Sequence, residues 1–227
     1  MNIYLEIILG FIFADILSAT GHWFEDTYLS YCINIPIISS IAKDNELHHY
    51  FPRSILAYNY IEHLTYTLPI SIILIIIIYL LIPKFLFKHI YFFITLFIFG
   101  SLANLFHRLA HMRDCEKHII LKKIQDTGLL CSHEHHRIHH INSQEKYCVI
   151  CEYTNYILDN INYWRNLENL IFIISGIKPN RVKNLDDYKV IFNHMHLNAK
   201  NDCPDKPTIQ DIEVLKQKLY EYKMNEC

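Results

Sequence analysis

Three long apolar stretches dominate the first half of the chain. They cover residues 3–20, 64–83 and 90–106. A helix needs about 20 apolar residues to cross the hydrocarbon core of a bilayer. The pattern therefore predicts three membrane-crossing helices, at about 3–24, 64–83 and 89–112. The turn at 84–88 is so short that the second and third helices must be antiparallel neighbours.

Charged residues interrupt only the first of these stretches, at Glu6 and Asp15. A carboxylate inside a spanning helix is costly in lipid, so we expect Asp15 to be functional or buried against protein. The N-terminus lacks the basic start and small-residue cleavage pattern of a removable signal peptide. We therefore expect the first helix to be retained as a membrane anchor.

The second half of the chain is less regular. Residues 147–175 are apolar and aromatic but carry several charges, a pattern that favours an interfacial or re-entrant helical segment over a full span. The chain becomes polar after Gly176. Thr208 and Asp211 have the spacing of a capping box, so an amphipathic helix is predicted to begin there.

Eight of the 15 histidines have spacings that suit metal binding. They are His22, His48, His49, His107, His111, His136, His139 and His140. Residues at i, i+3 and i+4 share one face of a helix, so the 107/111 pair should converge on one point, as should 136, 139 and 140. The adjacent 48/49 pair would point about 100° apart on a helix. These two could serve two metals, or one metal and a supporting partner.

All of these histidines should lie on one side of the membrane, because each lies at the same end of a predicted crossing. Basic residues gather on that side. They are Arg53, Arg108, Arg113, Lys117, Lys122, Lys123 and Arg137, against only Lys84 and Lys88 in the opposite turn. The positive-inside rule therefore predicts that the histidines face the cytosol.

Eight imidazoles are too many for one zinc ion, which takes three or four protein ligands. Two irons with about four histidines each, and open positions for oxygen, fit the set better. Asp26, Glu62 and Glu134 lie near the histidines in sequence and could orient imidazole N–H groups. The alternative is that residues 133–140 form a loose, tag-like metal-binding tract.

The composition of the chain argues against several classes of function. The net charge of −2 gives no electrostatic case for nucleic-acid binding. The hydrophobic fraction of 52% and the mean hydropathy of +0.10 indicate membrane segments. Seven cysteines form an odd set and no Asn-x-Ser/Thr sequon occurs, which disfavours an exported, disulfide-built domain. Cys148 and Cys151 have the spacing of a redox pair, but packing is the commoner role for such a pair in an aromatic segment.

Motifs beyond the histidine spacing carry a family resemblance over about residues 10–182. They are Ala14-Asp15-x-x-Ser18 with Gly21, His22-Trp23-x-x-Asp26-Thr27, Glu46-x-His48-His49 with Pro52, Ile61-Glu62, His107-x-x-x-His111, His135-His136-Arg137-Ile138-His139-His140, Tyr147-Cys148 with Asn155, Trp164-Arg165-x-Leu167-Glu168 and Gly176-x-Lys178-Pro179. In these motifs the chain resembles the plasmanylethanolamine desaturases, also called Kua or CarF-type lipid desaturases. Ala19 and Leu64 depart from the residues usual in that family.

The resemblance implies an all-α, multi-pass membrane bundle with a histidine-rich cytosolic cap over residues 1–182, followed by a polar tail over 183–227. It implies that all eight histidines bind two iron ions, with Asp26, Glu62 and His135 beside them, and that O2 is a co-substrate. The family converts 1-O-alkyl ethanolamine phospholipids into vinyl-ether plasmalogens, and a plastid branch desaturates palmitoyl phosphatidylglycerol.

The resemblance also implies the surroundings of the enzyme. Electrons would come from NADH through cytochrome b5 reductase and cytochrome b5, and the location would be the endoplasmic reticulum membrane. The lipid headgroup would lie near Arg53, Arg137 or Arg165.

Two other classes of function remain open. A fatty acyl-lipid desaturase, or a lipid or sterol hydroxylase, could use the same histidine set. A metal transporter or other non-enzymatic metal-binding membrane protein is disfavoured, because transporter ligands lie near the bilayer midplane and these histidines lie at helix ends.

Overall fold

The computed structural model describes residues 2–30, 32–33, 35–180 and 206–223. All regular elements within these ranges are helical, so the all-α prediction is confirmed. The α-helices are α1 (Ile3–Tyr28), α2 (Pro36–Tyr50), α3 (Tyr60–Leu81), α4 (Pro83–Lys88), α5 (Ile90–Ser101), α6 (Ala103–His111), α7 (Ile119–Asp126), α8 (His133–Ile141), α9 (Glu152–Asn160), α10 (Tyr163–Ser175) and α11 (Ile209–Lys223). Two 3₁₀ helices, Pro52–Ala57 and Asp114–Glu116, connect them.

The prediction of a multi-pass membrane bundle is also confirmed. Helices α1 and α3 are each long and apolar enough to cross a membrane. Helices α5 and α6 make a third crossing if they are taken as one span, bent by 48°. The Thr67 hydroxyl donates to the Ser101 carbonyl at the bend, so a side chain competes with the backbone hydrogen-bond ladder there.

Several helix boundaries differ from those predicted, including those of α3, which begins at Tyr60 rather than at residue 64. Helix α1 continues to Tyr28, so His22 and Asp26 lie inside its last turns, whereas we expected them just past its end. The segment 84–88 forms the short helix α4, with Pro83 at its first turn, where a missing N–H costs nothing. The predicted helix over 89–112 is divided into α5 and α6.

Close packing of α1 on α5 holds the membrane bundle together. A side chain at Gly10 would place its Cβ 2.5 Å from the Phe92 carbonyl oxygen, so only glycine allows this approach. Nearby, Glu6 pairs with His89 at 3.1 Å. The C-terminal end of α1, the start of α3 and the end of α6 consequently lie on the same side of the bundle.

Asp15 is fully buried and joins α1 to the loop before α9. Its carboxylate accepts hydrogen bonds from the backbone N–H groups of Ile150 (3.0 Å) and Cys151 (3.1 Å). The sequence left open whether Asp15 is functional or buried against protein, and the structure shows burial with a positioning contact. Cys148 and Cys151 are buried free thiols rather than a disulfide.

Disulfide bonding is present elsewhere, at two cysteines for which the sequence predicted no partner. Cys32 and Cys115 are both disulfide-bonded. Cys32 follows the end of α1 and Cys115 follows the end of α6, so both lie on the histidine side of the bundle.

Residues 147–175 form α9 and α10, and neither is among the helices that could span a membrane. The end of α10 exposes Ile173 (78%) and Ile174 (76%), as an interfacial helix would. The predicted capping box is confirmed, since Thr208 and Asp211 hydrogen-bond reciprocally before α11. Residues 181–205 and 224–227 lie outside the described ranges, so the boundary between 182 and 183 stays a prediction.

Candidate metal centre

Five imidazoles form the first group of potential metal ligands. They are His48 of α2, His107 and His111 of α6, and His136 and His140 of α8. Their ligand atoms all lie within 4.8 Å of one another. The Nε2 atoms face each other, with His107 2.9 Å from His136 and 3.2 Å from His48. All of these side chains except His107, which is half-buried, are buried.

Four residues form the second group, which consists of His22 and Asp26 of α1, His49 of α2 and His139 of α8. The Asp26 carboxylate is central to it. Its oxygens lie 2.8 Å from Nε2 of His49, 3.2 Å from Nε2 of His139 and 3.5 Å from Nε2 of His22. The Asn45 amide donates to the same carboxylate at 2.9 Å and helps to hold it in place.

Helical geometry determines which histidines share a group. His107 and His111, like His136 and His140, are four residues apart and lie on one helix face. His139 does not converge with 136 and 140 as predicted, because it is rotated by about 100° from its neighbour and reaches the second group. The same rotation sends His48 to the first group and the adjacent residue 49 to the second.

Backbone carbonyls orient two rings of the second group. His22 Nδ1 lies 3.1 Å from the Tyr147 carbonyl and His139 Nδ1 lies 2.8 Å from the Glu145 carbonyl. A carbonyl only accepts, so each Nδ1 carries the proton and each Nε2 keeps a lone pair. Those two Nε2 atoms and Asp26 Oδ2 are buried without a hydrogen-bond partner among the described residues.

Unpartnered buried lone pairs are rare in proteins, and here they converge on one point. A bound cation would satisfy them. The nine residues therefore fit a pair of adjacent metal ions, with the first group rich in nitrogen and the second combining nitrogen with one carboxylate.

Burial keeps these rings in the form that binds metal. Burial lowers the pKa of His48, His136 and His140 well below its usual value, so the three rings are neutral at neutral pH. Burial acts in the same direction on His49, but the charge of Asp26 outweighs it and raises the pKa of that ring. Metal binding requires neutral imidazole, so the first group is ready to bind, whereas a proton competes more strongly with a metal ion at His49.

Three other residues predicted near the metals lie outside both groups. His135 lies 3.1 Å from the Asn155 amide and 3.6 Å from Glu152. Glu62 caps α3, where its carboxylate accepts from the Asn59 backbone N–H at 2.6 Å. Glu134 is exposed and pairs with Arg137 at 2.7 Å. Asp26 differs from its prediction in the opposite sense. The sequence predicted that it supports the metal ligands, whereas its oxygens are themselves potential ligands.

A cavity of about 480 Å³ opens beside the metal centre and was not predicted. One end is lined by His22, His48 and His107. The other end lies deep between the spanning helices and is lined by apolar side chains. These include Leu17, Ile70, Leu74, Ile75, Leu96 and Phe97. Small residues such as Ala14, Ser71 and Gly100 in the apolar helices are the only sequence signal that could have indicated such a space.

The arginines expected to bind a headgroup are already paired. Arg53 forms two hydrogen bonds with Glu116, at 3.0 and 3.1 Å. Arg165 pairs with Glu168 at 2.7 Å, and Arg137 pairs with Glu134. No lysine or arginine lines the cavity in the described part of the chain. Its charged residues other than histidine are Glu25 and Asp44.

Comparison with known proteins identifies relatives of the same kind. The chain is 31% identical over 189 residues to a probable fatty acid desaturase of Acanthamoeba polyphaga mimivirus, covering 78% of this chain and 86% of the relative. It is 30% identical over 196 residues to mouse plasmanylethanolamine desaturase 1, covering 78% and 68% of the two chains. The plasmanylethanolamine desaturase of Myxococcus xanthus is 27% identical over 180 residues, covering 76% and 62%.

No solved structure matches this chain. The family of lipid desaturase domains matches residues 11–182, which contain both groups of potential ligands. This span is also where the family motifs of the sequence lie. The chain therefore belongs to the lipid desaturase family.

Proposed function

We propose that this chain is a membrane di-iron desaturase that introduces the vinyl-ether double bond into 1-O-alkyl ethanolamine phospholipids. Membership of its family makes it an oxidoreductase of membrane lipids. The observation that carries the finer proposal is the position of two adjacent ligand groups at one end of a cavity whose other end is apolar.

The ligand inventory supports two irons. Nine residues are divided between two groups. Residues 48 and 49 are adjacent but belong to different groups, as do 139 and 140, so two metal ions would lie close together. Nitrogen-rich iron sites with open positions activate dioxygen, which supplies the oxidising power to break an unactivated C–H bond. In the overall reaction, C1 and C2 of the alkyl chain each lose one hydrogen. O2 is reduced to two waters with two electrons and two protons from outside.

The protein's own residues would position the substrate. The apolar end of the cavity fits a hydrocarbon chain and lies between helices that can span a membrane. From His63 to Ile75, α3 lines the cavity for about 18 Å, at 1.5 Å per residue. The metal-binding end is also the polar end, which supports oxidation close to the headgroup rather than in the middle of the chain.

The charge at the polar end supports an ammonium headgroup. Asp44 is paired with Lys216 of α11 at 3.0 Å. Glu25 lines the cavity and makes no hydrogen bond or ion pair with any described residue. An ethanolamine ammonium could pair with this carboxylate, whereas the uncharged glycerol of a phosphatidylglycerol headgroup could not form that ion pair.

A fatty acyl-lipid desaturase is the second candidate, because the mimivirus relative bears the name of a probable fatty acid desaturase. Hydroxylation of a lipid or sterol by the same site is a third outcome. We propose cytochrome b5, reduced by NADH through its reductase, as the electron donor, and the endoplasmic reticulum membrane as the location.

Lipid mass spectrometry of plasmalogen-deficient cells expressing the chain tests the proposal. Vinyl-ether ethanolamine lipids should appear in cells with the wild-type chain and be absent with a His111→Ala control that still inserts into the membrane. New acyl double bonds without vinyl ethers would favour the second candidate. A hydroxylated lipid would favour the third, and one zinc with no iron in the purified protein would contradict the di-iron site.

A further inference from the structure

His63 and Asn104 form a polar pair in the wall of the cavity. His63 is 1% exposed, and its Nε2 lies 3.1 Å from the Ile55 carbonyl. That carbonyl can only accept, so Nε2 carries the proton and Nδ1 is an acceptor. The Asn104 amide nitrogen lies 3.2 Å from Nδ1 and donates to it. The Ile55 carbonyl thereby fixes both the tautomer of the ring and the orientation of the amide.

Asn104 keeps unused hydrogen-bonding capacity. Its side chain has two N–H donors and a carbonyl acceptor, and only one donor is engaged with His63. Among the described residues it makes no other side-chain hydrogen bond. The residue lines the cavity. One N–H and the side-chain oxygen are therefore left for a molecule in the cavity.

The position of the pair along the cavity is defined on both sides. Asn104 and His107 are three residues apart on α6, so they lie on one face with a rise of about 4.5 Å between them. In the other direction the wall continues through Gly100 and Ile70 to Leu74. The pair thus lies between the metal centre and the apolar end.

We propose that Asn104 is a positioning residue that donates a hydrogen bond to the oxygen joining a glycerolipid's hydrocarbon chain to its glycerol backbone. The inference rests on the proposed function and adds how the reactive carbon is selected. The carbons next to that oxygen would then lie beside His107, while the rest of the chain extends towards Leu74. His63 acts only through Asn104, by holding its amide in the donating orientation.

A lipid analogue with one atom changed tests this contact. Two ethanolamine lipids are compared, one with a 1-O-hexadecyl ether and one with the ether oxygen replaced by a methylene group. Binding to the purified, iron-loaded full-length protein is measured in detergent without O2, so that no turnover occurs. A neutral hydrogen bond of about 0.5–1.5 kcal/mol predicts that the wild-type protein binds the ether roughly 2- to 12-fold more tightly.

Asn104→Leu should bind both lipids equally, because leucine has a similar size and no donor. Thr67→Val is the matched control. Its hydroxyl also lines the cavity but is engaged with the Ser101 carbonyl, so the wild-type ratio should persist. In turnover, Asn104→Leu should spread the double bond over several positions along the chain. If Asn104 had a purely structural role, the substitution would lower activity without changing the position of the double bond.

Equal binding of the two lipids by the wild-type protein would overturn the proposal, even if Asn104→Leu failed to fold. An unchanged ratio in Asn104→Leu would overturn it as well. Failure of the proposed function looks different, since the wild-type protein would then prefer the ether lipid but form no vinyl ether with O2 and a reductant.

Discussion

Asp26 and Glu25 are neighbours on α1 with different surroundings. The Asp26 oxygens contact three imidazoles, whereas Glu25 lines the cavity without a partner among the described residues. Adjacent residues on a helix point about 100° apart, so one carboxylate can face the metal centre and the other the substrate. The pair offers a matched set of conservative substitutions.

Asp26→Asn should reduce the iron content from about two to about one per chain and lower turnover by more than ~100-fold. Substitutions beside a metal ligand typically cost about 10- to 100-fold, and loss of a ligand should cost more. Elemental analysis after iron reconstitution and a lipid turnover assay measure the two effects. Glu25→Gln is the control and should retain two irons. Full iron content and normal turnover in Asp26→Asn would show that the carboxylate is not a ligand.

Glu25→Gln should raise KM for ethanolamine lipids by roughly 2- to 5-fold, the range expected for a partly exposed ion pair. The kcat should change little, because the carboxylate does not contact the metal groups. The KM for a lipid with an uncharged glycerol headgroup should not rise, which makes the ratio of the two KM values the informative measurement. An equal rise in KM for both lipids would show that Glu25 does not contact the ammonium group.

At the scale of elements, the loop over residues 147–151 connects the membrane bundle to the metal centre. Asp15 holds its backbone at Ile150 and Cys151, and its Tyr147 carbonyl orients His22. Without the Asp15 carboxylate, these two backbone N–H groups would be buried without hydrogen-bond partners, which explains why the apolar helix carries a charged residue. One interaction thus orders a loop and a potential metal ligand together.

Asp15→Asn should loosen this loop by about 1–3 kcal/mol, because the asparagine amide cannot accept from both backbone N–H groups. The buried thiols of Cys148 and Cys151 report the loss, since both should react with maleimide roughly tenfold faster or more when mapped by peptide mass spectrometry. Glu6→Gln changes a carboxylate of the same helix that pairs with His89, and should leave their labelling unchanged. Unaltered labelling in Asp15→Asn would contradict the role of this carboxylate.

At the scale of the whole molecule, two indicators of orientation oppose each other. The surplus of lysine and arginine places the histidine side in the cytosol. Cys32 and Cys115 lie on that side and are disulfide-bonded, and disulfides persist mainly in oxidising compartments. We propose the cytosolic orientation, because the electron donor proposed here is reduced in the cytosol.

Cysteine accessibility in intact microsomes decides the orientation. Glu134→Cys lies on the histidine side, where the native side chain is 72% exposed, and Phe87→Cys lies in α4 at the opposite end, where the native residue is 63% exposed. An impermeant maleimide added outside should label the first and spare the second until the membrane is opened. The reverse pattern would place the histidines in the lumen and exclude a cytosolic cytochrome b5 as donor.

The sequence by itself determined the membrane helices and the set of eight histidines. Apolar length is a local property, and so is the spacing that puts His107 and His111 on one helix face. The same local rules found the capping box of α11. They could not place Glu62, because a glutamate at the start of a helix can cap it or face a partner with equal ease.

Only the tertiary structure decided how the histidines are divided and what lies beside them. The meeting of α1, α2 and α8 assigns His139 to the second group and brings Asp26 into it. The cavity and the Asn104–His63 pair arise where α3 faces α5 and α6. These features depend on contacts between residues distant in sequence, and the periodicity of a single helix carries no information about which helix packs against it.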